Sequence, residues 1–213
     1  MGARENILDR IRTALGKSAS RAECEEINAY MRQHAAGPRP RSDWDLTARF
    51  RERAMSLASS VDRVASISEV PQAVTRYLHE RNLPLQGVCW PELASLDWQA
   101  HGVSLIARPA QGNDLLGITG AFCAIAETGT LVLLSGENTP AATSLLPETH
   151  VAVVRTSRIV KGMEEAWSLL RGEYPVMPRA VNFVSGPSRT ADIEQTVTLG
   201  AHGPYRVHIV LVS

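Results

Sequence analysis

The rhythm of apolar positions changes once along this chain. In the first sixty residues it is helical. Ile7, Leu8, Ile11 and Leu15 fall on one helical face, and Gly16 ends the run. "RAECEEINAYMRQHAA" predicts a second, weaker helix, and "GPRPRS" a turn or linker. Asp43 then stands where an N-cap belongs, ahead of Leu46, Phe50, Ala54 and Leu57 at helical spacing. Residues 1–42 therefore read as a helical N-terminal extension with a linker, and 43–213 as the main domain.

Beyond that point short apolar runs alternate with helical patterns. "VDRVASI", "GVCW" and "VSLIARP" predict strands, and "EVPQAVTRYLHERN" a helix with Pro71 in its first turn. "GAFCAIAETGTLVLLS" gives two apolar runs broken at Glu127-Thr128-Gly129. "AATSLLPE" predicts a short helix, entered with Thr139 as N-cap and Pro140 in its first turn. "HVAVVRTSRIV" predicts a strong strand, "GMEEAWSLLR" a helix, "RAVNFVSG" a central strand and "YRVHIVLV" the last one. Near-continuous Val, Ile and Leu strands that alternate with helices predict an α/β fold. Its sheet is of mostly parallel strands, covered on both faces by helices.

Composition narrows the function classes. The chain has 213 residues, 44% hydrophobic and 21% charged, with a formal net charge of zero. A domain of this size buries about 70% of its unfolded surface and needs no metal or disulfide to fold. Zero net charge gives no long-range pull on nucleic acid or an anionic membrane. No apolar run reaches the roughly 18 residues of a membrane span. "MGARENILDRIRTALG" does not read as a signal peptide. Cys24, Cys89 and Cys123 are widely spaced with no CxxC, which predicts reduced thiols in the cytoplasm and no iron–sulfur or zinc site in this chain. Cys123 reads as a small buried hydrophobe before it reads as a nucleophile. A lone His150 ahead of a strand reads as a satisfied structural residue.

Three stretches carry candidate chemistry; one of them, "SGENTPAATSLLPETHVAVV", sets Glu137 and Asn138 in a turn before a helix N-terminus whose free N–H groups can hold an anion. Glu127 lies between apolar runs and is followed by Thr128, Gly129 and Thr130. A carboxylate there sits either at the solvent edge of a strand-linking turn or at the mouth of a cleft, as nucleophile, base or ligand contact. Ser185, Gly186, Pro187, Ser188, Arg189, Thr190 and Asp192 follow a predicted strand. They offer hydroxyls, backbone N–H groups and a guanidinium, which suits a phosphate or carboxylate. Ser188 equally suits the N-cap of a helix through "RTADIEQTV". His202, in "HGP", is the second candidate catalytic side chain, or simply part of a tight turn before the last strand. No GK[ST], GxSxG or GxGxxG pattern is present.

"AIAETGTLVLLS", the "HVAVV" strand and "SGPSRTADIE…LGAHGP", in that order, resemble the LUD domain, the lactate utilization protein C family of bacteria. The resemblance covers roughly residues 43–213. It implies a fold like that of the sugar-phosphate isomerase and CoA-transferase superfamily. It further implies a part in oxidising L-lactate to pyruvate together with two iron–sulfur proteins. Clusters are then expected on those partners, and no cofactor in this chain. Glu127 loosely resembles the strand-end glutamate of CoA-transferases. The expected ligand is a small carboxylate or a phosphate-bearing molecule. It would lie in a cleft at the carboxyl edge of the sheet, between the Glu127 turn and the Ser185–Asp192 loop. The competing readings are a stand-alone CoA-transferase- or folate-ligase-like enzyme and a non-catalytic assembly or regulatory protein.

Overall fold

The computed structural model describes residues 2–16, 21–33, 37–38, 43–190 and 198–213. The chain divides into two compact units, Met1–Arg41 and Ser42–Ser213. The first holds two helices, α1 (Ala3–Leu15) and α2 (Arg21–Gln33). Gly16 closes α1 in the left-handed conformation at φ 61°, which glycine adopts without a Cβ penalty.

The second unit opens with α3 (Leu46–Ser56). Its N-cap is Asp45, whose carboxylate accepts from the Ala48 amide at 2.7 Å; the expected cap, Asp43, lies two residues too early. Then follow β1 (Ser60–Val64), α4 (Val70–Glu80), β2 (Gln86–Cys89), β3 (Ser104–Ala107), β4 (Leu116–Gly120), β5 (Cys123–Ile125) and β6 (Thr130–Leu134). The remaining elements are α5 (Ala142–Leu145), β7 (Thr149–Arg155), β8 (Ile159–Val160), α6 (Met163–Glu173), β9 (Val181–Val184), β10 (Arg189–Thr190), β11 (Thr198–Leu199) and β12 (Arg206–Val212).

Six strands form one parallel sheet in the order β1-β12-β7-β4-β2-β3. Its middle strands bury both faces, and successive side chains take opposite sides. Val151, Val153, Val210 and Val212 pack with Val74, Tyr77 and Leu78 of α4. Ala152, Val154, Ile209 and Leu211 pack with Phe50 and Ala54 of α3 and with Leu131 and Leu133 of β6. The second face is covered by another sheet, β8-β5-β6-β9, in which β6 runs antiparallel to both neighbours. The outer side of that sheet packs Ile125, Val132 and Leu134 against Ala166 and Leu170 of α6. The expected parallel sheet with flanking helices is therefore present, with a small mixed sheet as an extra layer.

Four local readings change. The "HVAVVRTSRIV" run is two strands: Thr156–Arg158 forms a turn, and β8 leaves β7 for the small sheet. "VNFV" is β9, at the edge of the small sheet rather than in the centre of the large one. α5 begins at Ala142, not at Pro140, because Thr139 is held in a bridge to Gly136. Arg189 and Thr190 pair antiparallel with Leu199 and Thr198, so Ser188 is followed by a strand; the rest of the helix expected through "RTADIEQTV" lies outside the described residues. β4, "LGITG", is a strand that the apolar pattern did not announce. A Cβ on Gly117 would come within 2.0 Å of the Thr143 carbonyl oxygen, so only glycine lets α5 sit that close.

Two histidines lie inside the sheet. His150 is fully buried, with Nε2 at 2.8 Å from the Thr119 hydroxyl. His208 stacks on Tyr77, ring centroids 3.9 Å apart, and its Nδ1 lies 2.9 Å from the Ser60 hydroxyl. Burial pulls both imidazoles down to about 4. Unfolded imidazoles titrate at about 6.5. Between those values the unfolded chain binds protons that the folded chain does not. Stability is therefore whole above about pH 6.5 and falls as the pH drops towards 4. His150 alone accounts for about 2 kcal/mol between pH 7.5 and pH 5. Urea unfolding should show a lower midpoint at pH 5 than at pH 7.5, and His150→Gln should reduce that difference, with His208 supplying the remainder. Equal wild-type midpoints at the two pH values would refute the assignment.

Candidate functional site

The large sheet has one place where its connections part. After β2 the chain moves outward to β3, on one side; after β4 it moves through the small sheet to β7, on the other. Open parallel sheets form a crevice at the carboxyl ends of two such strands. A cavity of about 460 Å³ lies there, bounded by Glu92 beyond β2, Gly120 and Phe122 at the end of β4, and Val153 and Arg155 at the end of β7. That volume is in the range of small-molecule sites.

Its charges are arranged unequally. Arg158 is fully engaged: Nε donates to the Phe122 carbonyl at 2.8 Å, Nη1 and Nη2 donate to Glu173 at 2.5 and 3.1 Å, and the guanidinium lies 4.6 Å from the Phe122 ring centroid. The paired guanidinium holds the Glu173 carboxyl below its ordinary range. Tyr174 meets Phe122 edge-on, centroids 5.8 Å apart, and completes this wall. Glu92 and Arg155 differ. Both line the cavity and are exposed, and among the described residues neither enters an ion pair. A Cβ on Gly120 would come within 2.0 Å of Glu92 Oε1, so the carboxylate lies against the bare end of β4.

The residues singled out from sequence gather elsewhere. Thr128 and Thr130 hydroxyls are 2.7 Å apart, and Thr130 reaches the Ser185 hydroxyl at 2.7 Å. The Glu127 turn and the Ser185 loop do therefore meet, through hydroxyls. Gly129 (φ 69°) and Gly186 (φ 79°) lie against α3: added Cβ atoms would stand 2.5 Å from the Ala54 nitrogen and 2.3 Å from the Leu57 carbonyl oxygen. Arg189 donates to that same carbonyl at 3.1 Å. Pro187 is buried; Ser188 donates its amide to Pro204 and accepts from the His202 amide, while the His202 side chain is exposed. Thr190 pairs with Thr198. Asp192 lies outside the described residues.

Leu57 is three residues before β1 and Pro204 two before β12. The Ser185–Thr190 loop thus sits at the amino ends of the large sheet, not at its carboxyl edge as expected. The reason is that β9 belongs to the small sheet and does not share the polarity of the large one. Glu127 is half-buried, and its amide donates to the Lys161 carbonyl. Its Oε2 lies beside Gly162, which precedes α6, close to Glu165. Glu92, Arg155, Arg158 and Glu173 were not singled out. The signal available was position: Glu92 follows "GVCW" and Arg155 ends "HVAVVR", both at strand carboxyl ends.

Residues 47–212, which span both sheets, match the family model described as "LUD domain". The chain belongs to the LUD domain family. It is 36% identical over 130 residues to "Lactate utilization protein C" of Bacillus licheniformis, a match covering 58% of this chain and 53% of the relative. The protein of the same name from Bacillus subtilis is 35% identical over 130 residues, with the same coverage. The chain spans about half the length of these curated relatives. A crystal structure of a DUF162 family protein from Deinococcus radiodurans superposes with a TM-score of 0.60 at 22% identity, covering 82% of this chain and all of that one. That likeness supports the LUD domain fold. Among the described residues no helix is long and apolar enough to cross a membrane.

The two glycines of β4 should answer differently to a methyl group. Gly117→Ala drives a Cβ into backbone, the Thr143 carbonyl, and should cost about 1–3 kcal/mol or more. Gly120→Ala meets only the end of a flexible side chain, so the fold should hold while Glu92 swings away. Urea midpoints compare the two; a loss at Gly120 equal to that at Gly117 would contradict this geometry.

Proposed function

We propose that this chain serves lactate utilisation, as a subunit of a cytoplasmic system that oxidises L-lactate to pyruvate together with two iron–sulfur proteins. The observation that carries the reading is the family match across residues 47–212, joined to relatives that bear the name lactate utilization protein C. The crevice at the carboxyl ends of β2, β4 and β7 is the ligand site in this reading. It is of small-molecule size and offers one cation and one carboxylate without partners among the described residues.

The cysteines bear on where electrons would travel. Cys89 and Cys123 are buried in separate core clusters, and Cys24 lies in the N-terminal unit. Burial pushes both buried thiols up to about 11, which disfavours the thiolates that ligate iron. In this proposal the clusters sit on the partners, and this chain contributes binding and orientation of the organic acid.

Lactate oxidation coupled to an artificial electron acceptor tests the reading. The chain alone should be silent, and the mixture with both iron–sulfur proteins should turn over. Turnover by the chain alone would overturn the subunit assignment, and silence of the complete mixture would overturn the lactate role.

A further inference from the structure

The small sheet has an open edge. β9 pairs with β6 on one side and with no strand on the other among the described residues. The register tells which main-chain groups face that open side. The Ser135 amide donates to the Ala180 carbonyl at 3.0 Å, directly beyond the Leu134–Val181 pair. Hydrogen-bonded and non-hydrogen-bonded pairs alternate along an antiparallel ladder. Asn182 and Val184 therefore bond to β6, and the N–H and C=O groups of Val181 and Phe183 point outward. None of these four groups meets a partner among the described residues.

Sheets guard such edges with charge, proline or brevity. β1 carries Asp62 and Arg63, and β8 is two residues long between Arg158 and Lys161. β9, "VNFV", has no charge and no proline. β3 is uncharged as well, but its central position is Ile106, which calls for no polar partner. The centre of β9 is Asn182. It stands opposite Leu133, on the face that Val184 turns towards the large sheet. Asn182 is half-buried, and its carboxamide makes no hydrogen bond among the described residues.

We propose that β9 is the contact between two copies of this chain, paired antiparallel about a two-fold axis at Asn182. Val181 of each copy then stands opposite Phe183 of the other. Each such pair exchanges both of its N–H···O bonds, so all the outward groups are satisfied. A slip of one residue would set outward groups against inward ones and lose every bond. At the axis the two Asn182 residues form a non-hydrogen-bonded pair, with Cα atoms about 4.5 Å apart and side chains closest. A carboxamide both donates and accepts, so two identical ones complete each other. That self-match selects a second copy over a foreign strand, and a closed two-fold contact over an open array. On the other face Phe183, 37% exposed, already lies beside Trp167 of α6 with ring centroids 5.6 Å apart. The axis brings Val181 of the second copy against that ring and joins the two α6 layers.

Sedimentation of the full chain between about 1 and 300 µM tests this. Wild type should pass from the mass of one chain to twice that mass. Asn182→Asp, similar in shape but charged, opposes two carboxylates at the axis and should weaken association about tenfold or more. Phe183→Lys should do the same. Ile106→Lys, on the edge of the large sheet, should leave association unchanged. Urea midpoints near wild type exclude folding defects; if Phe183→Lys lowers the midpoint, Asn182→Asp carries the comparison. Cys24 is exposed, whereas Cys89 and Cys123 are buried. In a Cys24→Ser background, Asn182→Cys should therefore form an interchain disulfide on mild oxidation, since the Cα separation lies within the range of about 4.4–6.8 Å. Ile106→Cys should not. A chain that stays monomeric, a dimer untouched by Asn182→Asp, or no disulfide at position 182 would each overturn the two-fold seam. A monomer that protects the Val181 and Phe183 amides from hydrogen exchange would assign the edge to another part of this chain instead. Dissociation by Ile106→Lys would move the contact to β3 and overturn the seam equally.

Discussion

Two adjacent strands, β7 and β12, have apolar side chains on both faces, and the rest of the fold answers that constraint. Val151 and Val153 point one way and Ala152 and Val154 the other; Val210 and Val212 alternate with Ile209 and Leu211 in the same manner. A single layer of helices would leave one of these faces wet. Burial of a side chain such as Val or Leu is worth about 1.5–3 kcal/mol, so each exposed face would cost several times that. α4 covers the first face. The second takes α3 together with the small sheet, whose own outer side then requires α6. The order of layers follows from where apolar surface still remains after each addition.

Close approach at β4 links this packing to the crevice. Gly117 lets the Thr143 carbonyl rest on the strand, and Gly120 lets Glu92 lie over its end. The segment that carries α5 is also fixed by Trp90, whose indole donates to the Pro140 carbonyl at 3.2 Å. Trp90 immediately precedes Pro91 and Glu92, so one buried anchor serves both the fold and the candidate site. The carboxylate is thus carried on a short turn whose root is immobilised in the core. Backbone held in this way keeps its place without a ligand, which lowers the ordering cost of binding.

The same glycines explain what could be read from sequence and what could not. β1, β7, β12, α4 and α6 are legible because their apolar positions have length and period. β4 is not, since "LGITG" has glycines where a strand pattern expects branched side chains, and those glycines are set by neighbours remote in sequence. Long-range partners also decide the split between β7 and β8 and the placing of β9 in the small sheet. "HVAVVRTSRIV" and "RAVNFVSG" read locally as strands, which they are; no local feature says which sheet they join. The crevice was illegible for a related reason. Glu92 and Arg155 are ordinary exposed charges 63 positions apart in numbering, and only the pairing of β2 with β4 and of β4 with β7 brings them to one end of the sheet.

Two of the three stretches that carry the family resemblance supply joints. Thr128, Thr130 and Ser185 bind two loops of the small sheet, while Gly129, Gly186 and Arg189 press those loops onto the end of α3. Small residues and hydroxyls suit a seam as well as they suit a ligand cradle, because both need backbone to come close and polar groups to be satisfied. A seam restricts its residues tightly, since a Cβ at Gly129 or Gly186 meets backbone. A crevice lined by exposed side chains is restricted far less by folding. Motifs of this kind therefore identify the frame, and the chemistry must be sought where charges are left without partners. In this chain that criterion leads away from the most conspicuous sequence and towards Glu92 and Arg155.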